Sequence, residues 1–263
     1  MSRNNITKLN FTIMKCLKQV LSFCFILLSN VVVAQSSISV EYKEWCPLPD
    51  YISGGTNIHK LILYPTYSVY FQSKFIKNNS PYFAASEPED TFKKANDLLF
   101  KFYQGKKILF LSPKINKAYF VVSDSLNLMK WKIQKSKPIR YLGLDCYEAK
   151  AHFRGRNYTA YFAPKIKKSD GPFKFSGLPG LIIKVAADDN YTIWQAIKIN
   201  YNEKANVGIT EKFKEKPVPF HTYASWQKME DKRAIKDLIK RYPAPPGEIR
   251  IHEFPHLEKN LQL

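Results

Sequence analysis

The chain has 263 residues, with 41 Lys or Arg against 22 Asp or Glu, and a net charge of +19. Its apolar fraction of 45% excludes a disordered polyelectrolyte, and four cysteines in so long a chain exclude a disulfide-dense miniprotein. So basic a protein attracts anionic partners at long range, a field effect that says nothing about fold.

In chain order, the first predicted element is an export signal over residues 1–34. Arg3, Lys8, Lys15 and Lys18 precede the apolar run VLSFCFILLSNVVVA, and no acidic residue occurs before Glu41. That run is shorter than the roughly 20 residues of a membrane-spanning helix, and Val32 and Ala34 are the small residues of a cleavage site before Gln35. Translation starts at Met1 or, with a shorter basic region, at Met14. The bulky Phe23 before Cys24 argues against lipid attachment there. Cleavage removes four basic residues and no acidic one, so the mature chain 35–263 carries +15. It has no further span long enough to cross a membrane, and the expected location is periplasmic or secreted. Only Cys46 and Cys146 survive cleavage, and in an oxidising compartment they are candidates for one disulfide, although spacing cannot show that they meet.

The mature chain reads as a succession of strands with apolar residues at period two. SISVEYKEW comes first, then KLILYPTYSVYFQ, broken at Pro65. A polar stretch from Lys77 to Asp97 reads as a long loop with a short helix near its end, followed by KKILFLS, NKAYFVVSD and LMKWKIQ. In DCYEAKAHF the alternation places Tyr147, Ala149, Ala151 and Phe153 toward the core and Glu148, Lys150 and His152 outward. A turn at Arg154-Gly155-Arg156 leads to NYTAYFAP, since Gly155 accepts positive φ. LIIKVAAD and NYTIWQAIKIN form a further antiparallel pair, with Tyr191, Ile193, Ile197 and Ile199 expected on one face. The short links imply a meander rather than βαβ units.

One segment has convincing helical spacing, near 222–242, where Tyr223, Trp226, Met229, Leu238, Ile239 and Tyr242 recur; Pro243 bounds it, and 243–263 reads as an irregular tail. The expected fold is therefore mainly β (α+β): a curved antiparallel sheet or open half-barrel with one C-terminal helix packed on it, all in one domain over 35–263.

The tail contains HEFPH, His252 to His256, the H-E-x-x-H spacing of zinc peptidases. Such a site needs both imidazoles one helical turn apart, and Pro255 inside that turn costs about 3 kcal/mol or more. No third ligand follows at a usual spacing except Glu258, leaving only distant histidines such as His59, His152 or His221. His252 and His256 are therefore not read as a metal site, and no metal or other cofactor is expected. The G-x-x-G of Gly177 to Gly180 has Leu178 and Pro179 at its centre and lies between strands, so it does not read as an RNA clamp, and nucleic acid is not an expected partner. Arg154 and Arg156, in FRGR, have the geometry to bind a carboxylate or phosphate in bidentate fashion, or to stand solvated at a hairpin tip.

The residues Gly177, Leu178, Pro179, Gly180, Leu181 and Ile182, together with the flanking LMKWKI, YLGLDCYEAKAHFRGRNYTAYFAP and SDGPFKFSGLPGLI, resemble the signature of the GLPGLI family of exported bacterial envelope proteins. The resemblance is close over about 128–200. It implies an exported β-rich protein and carries no catalytic residue or cofactor with it. A weaker, fold-level resemblance is to the open half-barrels of lipoprotein carriers. Physically, the signature is a tight turn in which Pro179 fixes φ and Leu178 and Leu181 anchor the loop in the core beside Phe173 and Phe175. The expected function is thus non-enzymatic binding of an apolar or anionic ligand or an envelope partner, such as lipid, acidic polysaccharide or another envelope protein. The alternative is an extracytoplasmic hydrolase assembled from distant residues such as Glu148, His152 and Asp170, or metal-dependent through His252 and His256.

Overall fold

The computed structural model describes residues 37–45, 55–77, 98–112, 119–205 and 207–241. Thirteen strands in these residues form one sheet, arranged as two meanders. The first runs β1 (Ser37–Trp45), β2 (Gly55–Leu63), β3 (Tyr67–Lys77), β4 (Leu99–Phe102), β5 (Lys107–Leu111) and β6 (Val121–Ser125). The second runs β9 (Leu144–Phe153), β10 (Arg156–Ala163), β11 (Leu181–Ala187) and β12 (Ile193–Glu203). Between them in sequence, β7 (Lys132–Ile133) and β8 (Ile139–Tyr141) edge the sheet against β9. The meanders join where β1 pairs antiparallel with β12, from Ser37 opposite Glu203 to Trp45 opposite Ile193. The sheet is open: β7 stands at one edge and β13 (Val218–Pro219) at the other, in a parallel pair with β6. A helix, α1 (Phe220–Arg241), follows directly, so the mainly β half-barrel with one C-terminal helix is the observed architecture. No helix among the described residues is long and apolar enough to cross a membrane.

The near-continuous apolar runs of the first meander are explained by burial on both faces. On the inner face Val40, Tyr42, Leu61, Leu63, Tyr70, Leu99 and Ile108 pack with Trp194, Ala196, Phe175, Leu178 and Leu181. On the outer face Ile62, Val69, Phe100, Leu109 and Val121 are covered by Phe213 of a short 3-10 helix, Glu211–Lys214. The break expected at Pro65 is the turn between β2 and β3. At the tip between β9 and β10, Arg154 and Gly155 both have positive φ, 45° and 82°, which matches a two-residue hairpin turn.

Three expectations about facing differ from the structure. In β12 it is Trp194 and Ala196 that are buried, while Ile197 is 44% exposed. A bulge between Glu41 and Tyr42 shifts the β1–β12 register, so Ala196 faces Tyr42 and Ile199 faces Val40 on the same inner side. One extra residue reverses the parity that a strict period of two assumes. Second, Tyr147 is 37% exposed rather than in the core, although its ring lies 6.1 Å from that of Phe162. Third, α1 packs only at its start: Phe220, Tyr223 and Ala224 are buried against Val122, with Phe110, Phe120 and Trp226 around them, whereas Met229 is 56% exposed. Beyond Trp226 the described apolar side chains Met229 and Ile239 are exposed, as expected for a helix of 22 residues that follows a strand of only two.

Candidate binding site

Polar groups buried by the sheet fall into three clusters, separated by whether their hydrogen bonds are complete. Period two puts Ser68, Lys101 and Tyr103 on the inner face, where they meet the signature segment. Lys101 is fully buried; its ammonium is paired with Asp170 Oδ1 and donates to the carbonyls of Gly171 at 2.6 Å and Phe175 at 3.3 Å. Asp170 also accepts from Ser68 Oγ at 2.6 Å, Tyr103 OH at 2.8 Å and the Gly171 N–H at 2.6 Å. Burial lowers the Lys101 ammonium from its ordinary value against the opposing pull of Asp170, and burial with the Asp170 charge raises the Tyr103 hydroxyl. Three donors of the lysine and both oxygens of the carboxylate are used, so nothing is left over for a ligand. The cluster locks the signature segment onto the sheet. The same segment is held by Tyr42 OH donating to the Ile182 carbonyl at 2.6 Å and by the Trp131 indole donating to the Ser176 carbonyl at 2.7 Å.

The second cluster docks the helix. Asp124 receives Arg154 in a two-point pair, at 2.8 and 2.9 Å, and Lys174 at 3.2 Å, all three side chains nearly inaccessible. The guanidinium of Arg154 lies 3.6 Å over the Phe220 ring, and the Lys174 ammonium lies 4.3 Å from Phe220 and 4.4 Å from Phe110. Two cations thus face the first residue of α1, a stabilising arrangement once desolvated. Arg156 is likewise engaged: it is ion-paired with Asp189 and lies 3.8 Å over Tyr191. Both arginines singled out as anion contacts therefore bind carboxylates of their own chain.

Asp124 carries a testable pH dependence. Burial pushes its carboxyl up, but the Arg154 hydrogen bonds and the charges of Lys174 and Arg154 outweigh this and hold it below the ordinary value of 3.8. A depressed folded value stabilises the protein above the unfolded value, and that contribution is lost as pH falls through the folded one. The thermal midpoint is expected to fall with acidification below about pH 4. Asp124→Asn should start lower at neutral pH and lose this part of the acid dependence. A variant as acid-sensitive as the parent would contradict the assignment.

The third cluster is different in kind. At the end of the sheet where β1, β2 and β3 pass from core to surface, His59 Nε2 is bonded to Glu44 Oε2, and the His59 ring stacks on Tyr70 at 4.8 Å and 10°. Gln72 is the cross-strand partner of His59. Among the described residues, His59 Nδ1 and Gln72 Nε2 are buried atoms without a hydrogen-bond partner, as is Ser176 Oγ in the signature segment; Tyr70 OH is buried beside the Trp194 indole, its one hydrogen-bonding neighbour. Burial raises the Tyr70 hydroxyl well above its ordinary value, the Glu44 and Tyr42 charges adding and the Trp194 indole opposing. An unpaired buried polar group costs about 1–3 kcal/mol, so two of them beside a hydroxyl with one neighbour are a concession at one spot. Their placement makes this the candidate site.

The other residues singled out in the sequence are dispersed. His152 bonds Asn157 at 2.7 Å, and Glu148 accepts from Tyr161 OH at 3.4 Å, while Asp170 is committed to Lys101. Among the described residues no hydrogen bond or ion pair joins these three to one another. His252, His256 and Cys46 lie outside the described residues. Cys146 is a buried free thiol that burial pushes up to about 11. It is expected to ignore maleimide in the folded protein and to react on unfolding without reductant; labelling only after reduction would show that it is paired. Among the described residues no group of three or more His, Cys, Asp or Glu is placed to hold a metal ion. Glu44, Tyr70, Gln72, Lys101, Asp124 and Lys174 were not foreseen. The only local signal was a lysine inside the apolar strand LFKF.

No protein-family model matches the chain, and no curated protein does. Among solved structures, PNGF-II in space group P21 is similar, with a TM-score of 0.51 and 13% identity over 73% of this chain. The match covers 33% of that chain, so this protein spans about a third of the length of PNGF-II. The same protein in space group C2 gives 0.47 and 11% identity over 70% of this chain and 30% of that one. At these identities the likeness is one of fold. An outer membrane lipoprotein-sorting protein domain from Vibrio parahaemolyticus is weakly similar, with a TM-score of 0.25 and 7% identity over 66% of this chain and 88% of that one.

Proposed function

We propose that this chain is an exported envelope protein of the GLPGLI type that binds a polar ligand or partner and does no chemistry on it. The observation that carries the reading is the contrast between the two inner-face clusters. The signature segment fills the inner face with Phe175, Leu178 and Leu181 and completes every bond of Lys101 and Asp170. These side chains pack on the inner face, where a half-barrel carrier would shelter an acyl chain, which supports a reading without lipid cargo. The incompletely paired set at Glu44, His59, Tyr70 and Gln72 is polar, which favours a hydrogen-bonding ligand over lipid. Export supports this reading through the basic and apolar pattern of residues 1–34, and the basic mature chain suits a surface rich in anionic groups.

Expression of the full chain in a two-membrane bacterium, with fractionation, N-terminal sequencing and native mass spectrometry, tests the proposal. The expected product is extracytoplasmic, begins near Gln35 and carries no acyl lipid. An unprocessed cytoplasmic product, or a stoichiometric acyl lipid, overturns it.

A further inference from the structure

The ligand class follows from the arrangement of hydrogen-bonding groups at the third cluster, and this step rests on the binding reading above. A carboxylate only accepts, so the Glu44–His59 bond places a proton on His59 Nε2; Nδ1 then accepts in the neutral ring and donates in the charged one. Gln72 Nε2 is a donor across the strand pair, and Tyr70 OH is both donor and acceptor. His59 is 9% exposed and Tyr70 less, so these groups are withdrawn from bulk water. Exposure rises along β2 toward Gly55 and along β3 past Tyr70, which opens the cluster toward the end of the sheet.

Each common class of ligand meets these groups differently. An apolar molecule would leave His59 Nδ1 and Gln72 Nε2 unpaired. An anion would meet the Glu44 carboxylate, which is itself partly exposed. A hydroxyl-bearing ligand supplies either role to Nδ1 and to Tyr70, and an acceptor for the Gln72 amide. We propose that Glu44, His59, Tyr70 and Gln72 form a binding site for a neutral carbohydrate, with Glu44 positioning the His59 ring and the other three touching adjacent hydroxyls.

The test is calorimetric titration of the processed protein with maltotriose, cellotriose and mannotriose, and with trigalacturonate as the acidic counterpart. At least one neutral trisaccharide is expected to saturate. Its affinity should fall about tenfold in Gln72→Leu and in Tyr70→Phe, the latter keeping the stacked ring. Unliganded Gln72→Leu should also melt a few degrees higher than the parent, because an unpaired amide has been replaced by an apolar group of similar size. The proposal is overturned if no neutral trisaccharide saturates or if trigalacturonate binds more tightly than the neutral sugars. It is equally overturned if Gln72→Leu melts lower, which would mean that internal water already completes these bonds. Export is measured separately by the fractionation above, so a failure here is distinct from a failure of that reading.

Discussion

Lys101→Met is expected to destabilise the folded protein by about 3–5 kcal/mol, because removing one partner strands the other as a buried, uncompensated charge. Asp170 would keep its bonds from Ser68, Tyr103 and the Gly171 N–H but lose the cation, while the Gly171 and Phe175 carbonyls would lose their donor. Urea denaturation is the measurement, read as a lower midpoint at unchanged slope. The double variant Lys101→Met, Asp170→Leu should recover part of the loss, since desolvation of both charges is relieved while two hydroxyls lose an acceptor. A single variant within about 1 kcal/mol of the parent would show that the pair is not what fastens the signature segment.

Gly180→Ala is the second large effect. A Cβ there would lie 2.5 Å from the Ala163 carbonyl oxygen, 2.7 Å from its carbon and 2.8 Å from Pro164 Cα. All three are backbone atoms, so relief requires moving the end of β10 away from the signature turn. A loss of about 3 kcal/mol, at the upper end of overpacking costs, is expected in the same denaturation assay. Gly177→Ala provides the contrast. Its Cβ would meet nothing nearer than the Trp131 ring at 3.6 Å, but φ is +93°, and the cost of that conformation is about 1–2 kcal/mol. If Gly177→Ala were the more damaging, close backbone approach would not be what demands glycine at 180. The two signature glycines thus serve different purposes, one for the path of the chain and one for the absence of a side chain.

Particular residues show how much of this was legible beforehand. The alternation in DCYEAKAHF and NYTAYFAP becomes β9 and β10 with Ala149, Ala151, Tyr158 and Ala160 buried, and fails at Tyr147, where Cys146 is buried instead. In NYTIWQAIKIN the same rule holds at Tyr191 and Ile199 but misses Trp194 and Ala196, because the bulge opposite Glu41 and Tyr42 belongs to the pairing and leaves no mark within the strand's own sequence. The helix was legible in the spacing of Tyr223 and Trp226. That Phe220, Tyr223 and Ala224 are its buried residues was not, since that depends on which strands lie beside it.

The candidate site was less legible still. His59 appeared in the sequence only as one histidine among five, with nothing to link it to Glu44 fifteen residues earlier or to Tyr70 and Gln72 on the next strand. Arg154 and Arg156 looked available at a hairpin tip until the fold brought Asp124 and Asp189 to them.

By itself the amino-acid order determined most of the strand segments (LMKWKIQ, which reads as a strand, contributes only Lys132–Ile133), how basic the chain is and that the signature turns tightly. These follow from interactions between residues a few positions apart: side-chain alternation, φ restrictions of Pro and Gly, and summed charge. Tertiary structure alone decided which face of β12 is buried, that Lys101 meets Asp170 across 69 positions, and that Glu44, His59, Tyr70 and Gln72 share one corner of the sheet. Pairing register and burial depend on distant partners, and a hydrogen bond is complete or unpaired only once every neighbour is in place.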